Sequence, residues 1–277
     1  MYYSLTFIDD GPVDLTDFSY KNMNTWNDWY LAPTTRPSFQ PPSFEPYTIE
    51  VPGRDGLIDA STSLTGYPVY GDRIGSLDFL IHPESPYTWH ETLSKVSNYL
   101  HGQKRKVFLE DDPAYLYEGQ FKVNEFTTGD VYSTISIDYD LQPYKRSRWT
   151  TIEPWQWDPF NFQNGVILQD FYSNLSVSDD ENYSKIFDST DIDEKYRQEV
   201  IGRMIVVPTF HVNSARGNGI DIFFDNIELG IREYVHLDEG ITKNPEIVFS
   251  MQHPDNRVYL SAKGTGIISI EFYIGSL

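Results

Sequence analysis

The sequence predicts a mainly β protein: two successive sandwich-like units, the first carrying one α-helix. Three observations carry that reading. Aromatic residues make up 16% of the 277 residues, with 20 Tyr and 17 Phe, and such side chains suit half-buried pleated surfaces. Eighteen Gly and 17 Pro punctuate them as turn formers do. The third is strict alternation over Val131–Leu141, where Val131, Ser133, Ile135, Ile137, Tyr139 and Leu141 share one face. Tyr132, Thr134, Ser136, Asp138 and Asp140 share the other, as one buried and one wet face require.

Along the first half, strand signals fall at Tyr47–Val51, Leu77–Ile81, Lys106–Glu110 and Tyr115–Phe126, the last interrupted by Gly119. One helix stands among them. Ser85 is placed as N-cap and Pro86 as first helical residue, where a missing N–H costs nothing. Trp89, Leu93, Val96 and Leu100 then form an apolar stripe, and Gly102 stops the helix. That stripe should lie on a sheet. The Pro-rich stretch Pro33–Pro46 reads as extended.

Tyr144–Asn164 changes texture. Lys145, Arg146 and Arg148 lead into Trp149, Trp155 and Trp157, with Pro154 and Pro159 between and after them, which marks a boundary that packs. The expected division is therefore 1–146 and 147–277. Beyond an acidic stretch, Ser178–Glu199, strand signals return at Met204–Val212, Gly219–Phe224, Tyr234–Leu237, Glu246–Met251, Arg257–Ala262 and Gly266–Ile274. Short strands at regular spacing suggest a β-sandwich.

Composition excludes several functions. Lys and Arg number 21 against 41 Asp and Glu, a net charge of −20, the wrong sign for gripping nucleic acid phosphate. There is no cysteine, so disulfide frameworks, thiolate metal sites and cysteine nucleophiles go together. No window approaches the ~18 consecutive apolar residues of a membrane-spanning helix. The N-terminal residues show no signal peptide pattern, so synthesis in the cytoplasm and no membrane insertion are expected.

Candidate chemistry is thin. The six histidines, His82, His90, His101, His211, His236 and His253, form no close-spaced zinc pattern. The acidic run Asp188–Glu194 lacks the glycine an EF-hand loop needs and reads as a solvated loop. Glu110, Asp111 and Asp112 precede Pro113 and read as a strand-ending turn, not a glycosidase pair. Gly217–Gly219 and Gly264–Gly266 read as turns. No nucleophile elbow, P-loop or dinucleotide fingerprint occurs. No catalytic residue, cofactor or metal is expected. His211-Val-Asn213-Ser-Ala-Arg216 resembles the galectin sugar motif H-x-N-x-R, but Arg216 arrives one place late, which in a regular strand moves it to the opposite face.

A more extensive resemblance starts at Pro52-Gly53-Arg54-Asp55-Gly56-Leu-Ile-Asp59, after the strand at Tyr47, and continues to Arg73. Asp112-Pro113-Ala-Tyr-Leu-Tyr-Glu-Gly119, Pro143-Tyr144-Lys145 and Ala262-Lys-Gly-Thr-Gly266 follow in order. This succession resembles the distal tail proteins of long-tailed bacteriophages. The resemblance implies a virion protein of the tail tip, not an enzyme. It implies an N-terminal domain that closes a homo-hexameric ring and a galectin-like β-sandwich after it. The implied partners are the tail tube protein, the tail-associated adhesion or lysin protein and receptor-binding proteins, with DNA passing through the lumen without specific binding. A closed ring needs head-to-tail contacts, for which exposed edge strands or the Pro33–Pro46 stretch are candidates. The alternative is a carbohydrate-binding module reading host-surface glycans through His211, Asn213 and Arg216.

Overall fold

A computed structural model describes residues 3–8, 22–44, 46–63, 68–129, 132–154, 172–177, 184–188, 204–226, 230–244, 247, 249 and 258–277. Val131, Trp155, Trp157, Pro159 and most of Ser178–Glu199 lie outside the described residues. The chain divides into two compact units, Met1–Lys145 and Arg146–Leu277. Both are built of strands, and one α-helix occurs among the described residues, so the architecture is mainly β with one helix.

Unit 1 contains β1 (Leu5–Ile8), β2 (Met23–Asn24), β3 (Leu31–Pro33), β4 (Thr48–Ile49), β5 (Ile58–Asp59), β6 (Arg73–Ile81), α1 (Trp89–Leu100), β7 (Gln103–Leu109), β8 (Asp112–Thr128) and β9 (Ser133–Leu141). Seven of these strands pair antiparallel in the order β2-β1-β7-β8-β9-β6-β3. The sheet is curled, because its two outermost strands are joined by the turn at 25–30. Within that turn Thr25, fully buried, donates its N–H to Leu5 O at 3.0 Å and accepts from Leu31 N–H at 2.8 Å.

Alternation sets the inner face. Ser133, Ile135, Ile137, Tyr139 and Leu141 of β9 are buried, as their spacing predicts. They meet Leu5, Phe7, Trp29, Leu31, Phe79, Ile81, Val107 and Phe121 in one core. Each such burial contributes about 1.5–3 kcal/mol. Glu110 and Asp111 form the turn between β7 and β8, as read from Pro113. β8 does not break at Gly119. It continues because that glycine leaves room for the facing strand: a Cβ there would stand 2.1 Å from Asp140 O.

The helix starts later than Ser85. Thr88 is the N-cap and forms a capping box, its hydroxyl accepting from Glu91 N–H while the Glu91 carboxylate accepts from Thr88 N–H at 2.8 Å. Those reciprocal bonds satisfy two donors, which Ser85 and Pro86 do not match. Val96 and Leu100 enter the core, with Thr92 buried beside them and Trp89 and Leu93 half-buried. The helix lies on β7 and β8.

β10 (Lys145–Ser147) crosses the division, and unit 2 continues with β11 (Leu175–Val177), β12 (Ser184–Asp188), β13 (Thr209–Asn226), β14 (Ile231–Leu237), β15 (Gly240–Lys243), β16 (Val258–Glu271) and β17 (Gly275–Ser276). β16 and β13 form the centre of the sheet. β11 and β12 pair along the free edge of β16, and β14 and β15 along that of β13. Here the sequence misleads. Met204–Val212 and Gly219–Phe224 are not two strands: β13 runs through from Thr209, and β16 likewise joins Arg257–Ala262 to Gly266–Ile274. The glycines taken for turns lie within the paired strands, Gly217 and Gly219 in a register shift of β13 between Arg216 and Ile220. Ile220 is opposite Gly264 and Ala215 opposite Gly266. A Cβ on Gly266 would meet Ser214 O at 2.1 Å, and one on Gly264 would meet Gly219 O at 2.7 Å. Glycine there permits close approach and bending, not chain reversal.

The inner face carries Phe210, Val212, Ile220, Ile222, Phe224, Leu260, Ile268 and Ile270, all buried. Across the core, Phe249 packs against Phe224 and Phe272, and its backbone pairs with Val206. The two ends of this unit are bonded together. Ser147 N–H donates to Ile274 O at 2.6 Å, and Thr151 N–H to Phe272 O at 3.1 Å, with both side chains fully buried.

Candidate functional site

Among the described residues of unit 1, the hairpin β4–β5 gathers several exposed apolar side chains. Residues 46–57 are exposed throughout, including Tyr47 at 62%, Ile49 at 41%, Val51 at 37% and Leu57 at 60%. Its tip is Pro52-Gly53-Arg54-Asp55-Gly56, with φ of 83° at Gly53 and 79° at Gly56, values that glycine adopts without strain. Arg54 N–H donates to Val51 O at 3.1 Å. Asp59 closes the base: its Oδ1 accepts from the Ser61 N–H at 2.9 Å and hydroxyl at 2.5 Å, and Ser61 Oγ accepts from Tyr47 N–H at 2.8 Å. Those two bonds hold the Asp59 carboxyl below its ordinary range.

The Pro33–Pro46 stretch, read as extended, is tied to the sheet. Thr34 N–H donates to Asp78 O at 2.9 Å, Gln40 N–H to the Tyr139 hydroxyl at 3.0 Å, and Phe39 packs between the rings of Tyr117 and Tyr139. The half-buried Phe39 ties this segment to the sheet.

The remaining motif residues gather at the root of this segment. Arg73, 4% exposed, donates from Nε to Pro143 O at 2.9 Å and from Nη1 to Gln40 O at 2.9 Å. Its guanidinium stands 5.6 Å from the centre of the Tyr117 ring. Burial holds its pKa below the usual arginine range, with the neighbouring tyrosines opposing. The same burial raises the Tyr117 hydroxyl to about 12. Tyr144 meets Tyr70, which meets Phe44. Asp112 bonds Lys145 at 2.8 Å, and that ammonium lies over Tyr115. Pro113 follows Asp112 at the start of β8, and Gly119 lies further along it. Thus Arg73, Pro143 and Tyr144 meet at the root, Asp112, Pro113 and Gly119 serve β8, and Pro52–Asp59 form the projecting hairpin.

The three carboxylates tempting as acids all have protein partners. Glu110 accepts from the Ser4 N–H and hydroxyl, Asp111 from Arg36, and Asp112 from Lys145.

In unit 2, a bulge decides the sugar-motif residues. Val212 pairs with Ile268 and Ser214 with Ile267, leaving Asn213 as the extra residue. Arg216 therefore falls opposite Thr265, a register position on the same face as His211, not the opposite face. The shift corrects the one-residue delay. Yet His211 and Asn213 are bonded to other groups of the protein. His211 Nε2 lies 2.7 Å from Glu271 Oε2, and Asn213 Nδ2 donates to Asn174 Oδ1 at 3.0 Å and Ser269 Oγ at 3.3 Å.

Sequence reasoning missed a second group on the outer face of β13 and β14. Asp221 Oδ1 accepts from the Tyr234 hydroxyl at 2.8 Å and lies 2.6 Å from His236 Nδ1. The strand period could have shown it, since Asp221 and Phe223 alternate with buried Ile222 and Phe224. The hydrogen bond to Asp221 raises the His236 pKa above 6.5 and lowers that of Asp221. The histidine's contribution is present below its unfolded pKa and fades as pH rises through the raised folded value. In an NMR titration His236 should therefore show a midpoint above 6.5, and Asp221→Asn should bring it down. An unmoved midpoint in the variant would refute the bond.

No family model matches the chain, and no curated protein matches it. Among solved structures, the chain is similar to a crystal structure of the Dit (gp 19.1) protein of phage SPP1, at 13% identity with a TM-score of 0.56 and the whole of both chains covered. That protein is described as a paradigm of the hub adsorption apparatus in Gram-positive infecting phages. The likeness shows a shared fold along the full length.

Proposed function

We propose that the chain is a structural hub of a phage tail tip, with no catalytic role, and that unit 1 closes a homo-hexameric ring. The projecting hairpin carries this reading. A two-stranded hairpin alone is at best marginal in water, yet this one presents Tyr47, Ile49, Val51 and Leu57 to solvent. A head-to-tail neighbour would cover them, and the asymmetric pairing of hairpin and receiving surface is what ring closure requires. Motif residues at the root, Arg73 above all, hold the segment from which the hairpin projects. The full-length likeness of fold to a hub adsorption protein supports the same conclusion.

In this role the ring joins the tail tube to the tail-associated adhesion or lysin protein and anchors receptor-binding proteins, with unit 2 as a galectin-like peripheral domain. The virion is its final location, after assembly in the host cytoplasm. Six chains of charge −20 each would give DNA a passage that does not hold phosphate.

Light scattering and negative-stain electron microscopy test the proposal. Six-fold rings of about 193 kDa, six chains of 32.1 kDa, are expected. Tyr47→Ser, Ile49→Ser and Leu57→Ser together should remove about 5 kcal/mol of burial per interface, enough to leave monomers at micromolar concentration. A native chain that stays at 32.1 kDa, alone and with isolated tail tubes, refutes the ring.

A further inference from the structure

The outer face of unit 2 holds an exposed aromatic ring fixed in place. Tyr234 is 55% exposed, yet its hydroxyl is bonded to Asp221 and its ring leans on Phe223, with centroids 5.1 Å apart and planes at 50°. Strand register sets its neighbours. Tyr234 lies opposite Phe223 and Phe223 opposite Ser261, while His236 lies opposite Asp221 and Asp221 opposite Lys263. Adjacent strands stand about 4.8 Å apart, so these six residues form a patch two rows deep and three strands wide.

We propose that this patch binds a neutral pyranose ring, stacked on Tyr234 and hydrogen-bonded by Asp221 and Lys263 beside His236. The chemistry matches a sugar on three counts. The apolar C–H face of a pyranose packs on an aromatic ring, whose body is apolar while its polar tip is satisfied elsewhere. Neighbouring sugar hydroxyls need an acceptor and a donor side by side. Asp221 supplies the acceptor, with Oδ1 already taking two bonds. Lys263, opposite Asp221 across β13, supplies a donor, and protonated His236, whose Nε2 is ion-paired with Asp238 at 3.6 Å, lies beside it. Charge settles the class. Asp221 stands within the patch, Asp225 and Asp238 flank it at the two ends of β14, and the chain carries −20 overall, which disfavours a phosphate or carboxylate ligand.

Pre-organisation adds to the case. An exposed tyrosine normally loses rotamer freedom when it binds. Tyr234 has already lost it to the Asp221 bond, so stacking costs little further entropy. The site is separate from the His211 group, where His211 Nε2 and Asn213 Nδ2 bond to Glu271, Asn174 and Ser269, and it does not depend on the ring assembly.

The test is an NMR titration of the full chain with methyl glycosides of glucose, galactose, mannose and N-acetylglucosamine, read at the His236 imidazole, with choline as a cationic control. Saturable binding of at least one glycoside is expected, with a Kd on the order of 1 mM for a single ring. Tyr234→Ala should weaken it at least tenfold, whereas Tyr234→Phe, which keeps the platform, should retain most of it. Tyr234 projects from the surface, so unchanged melting temperatures will show that both variants fold. No saturable shift with any glycoside overturns the proposal, as does binding indifferent to Tyr234→Ala or a response to choline alone. A ring-forming chain that binds no glycoside would refute this inference while leaving the hub reading intact.

Discussion

Arg73→Ala should lower the melting temperature of unit 1 by roughly 10 °C, from a loss of about 3–4 kcal/mol. The guanidinium is buried without a carboxylate, and its bonds go to two backbone carbonyls, Pro143 O and Gln40 O. Truncation removes a charged donor from each of these two part-buried bonds, worth about 1.5–3 kcal/mol apiece. It also opens a cavity beside Tyr117. Lysine should not rescue, because a single ammonium cannot reproduce the fork that spans both carbonyls. Differential scanning calorimetry of the two variants decides the matter. A drop below about 2 °C would mean that Arg73 does not hold the segment at Gln40.

Gly119→Ala should be more damaging still. An added Cβ would lie 2.1 Å from Asp140 O, 2.6 Å from Leu141 Cα and 2.9 Å from Asp140 C. All three are backbone atoms of the facing strand, so no side-chain rotation relieves the overlap. β8 and β9 must part at the centre of the sheet, at a cost of about 4 kcal/mol or more. Gly53→Ala is the informative comparison. No atom stands within 4 Å of that position, and only its φ of 83° resists a side chain, a cost of about 1–2 kcal/mol. Urea denaturation of both variants should therefore show a large shift in midpoint for Gly119→Ala and a small one for Gly53→Ala. Equal shifts would contradict the close approach.

The sequence was most readable where one physical rule acted alone. β9 has one wet and one buried face, so its alternation was visible and correct. The helix was visible from its stripe, but its start was not, because Ser85-Pro86 and Thr88-x-x-Glu91 are both plausible beginnings. Only the reciprocal bonds of Thr88 and Glu91 choose between them. Glycine misled in the opposite direction. At Gly53 and Gly56 it marks a turn, and at Gly119, Gly264 and Gly266 it marks close backbone approach, with the same letter for both. The candidate site was legible as motif order, while its division into a projecting hairpin and a buried root was not. Nothing in the letters separates exposed Arg54 from buried Arg73. The bulge at Asn213 was hidden too, since a one-residue insertion has no compositional mark, and it reversed the expected face of Arg216.

The pairing of Ser147 with Ile274 sets an order of events during synthesis. These residues are 127 positions apart, which a ribosome adding about 5–20 residues per second covers in roughly 6–25 s. Every strand of unit 1 has left the decoding centre by residue 145, so its sheet can close while unit 2 is still being made. Ser147 and Thr151 must wait in water for partners made 127 and 121 positions later. Unit 2 is thus a late, long-range structure with slow closure, and a ribosome that stalls before Phe272 leaves a finished first unit joined to an open sheet. Such a product displays unpaired strand edges and apolar inner faces to quality-control proteases.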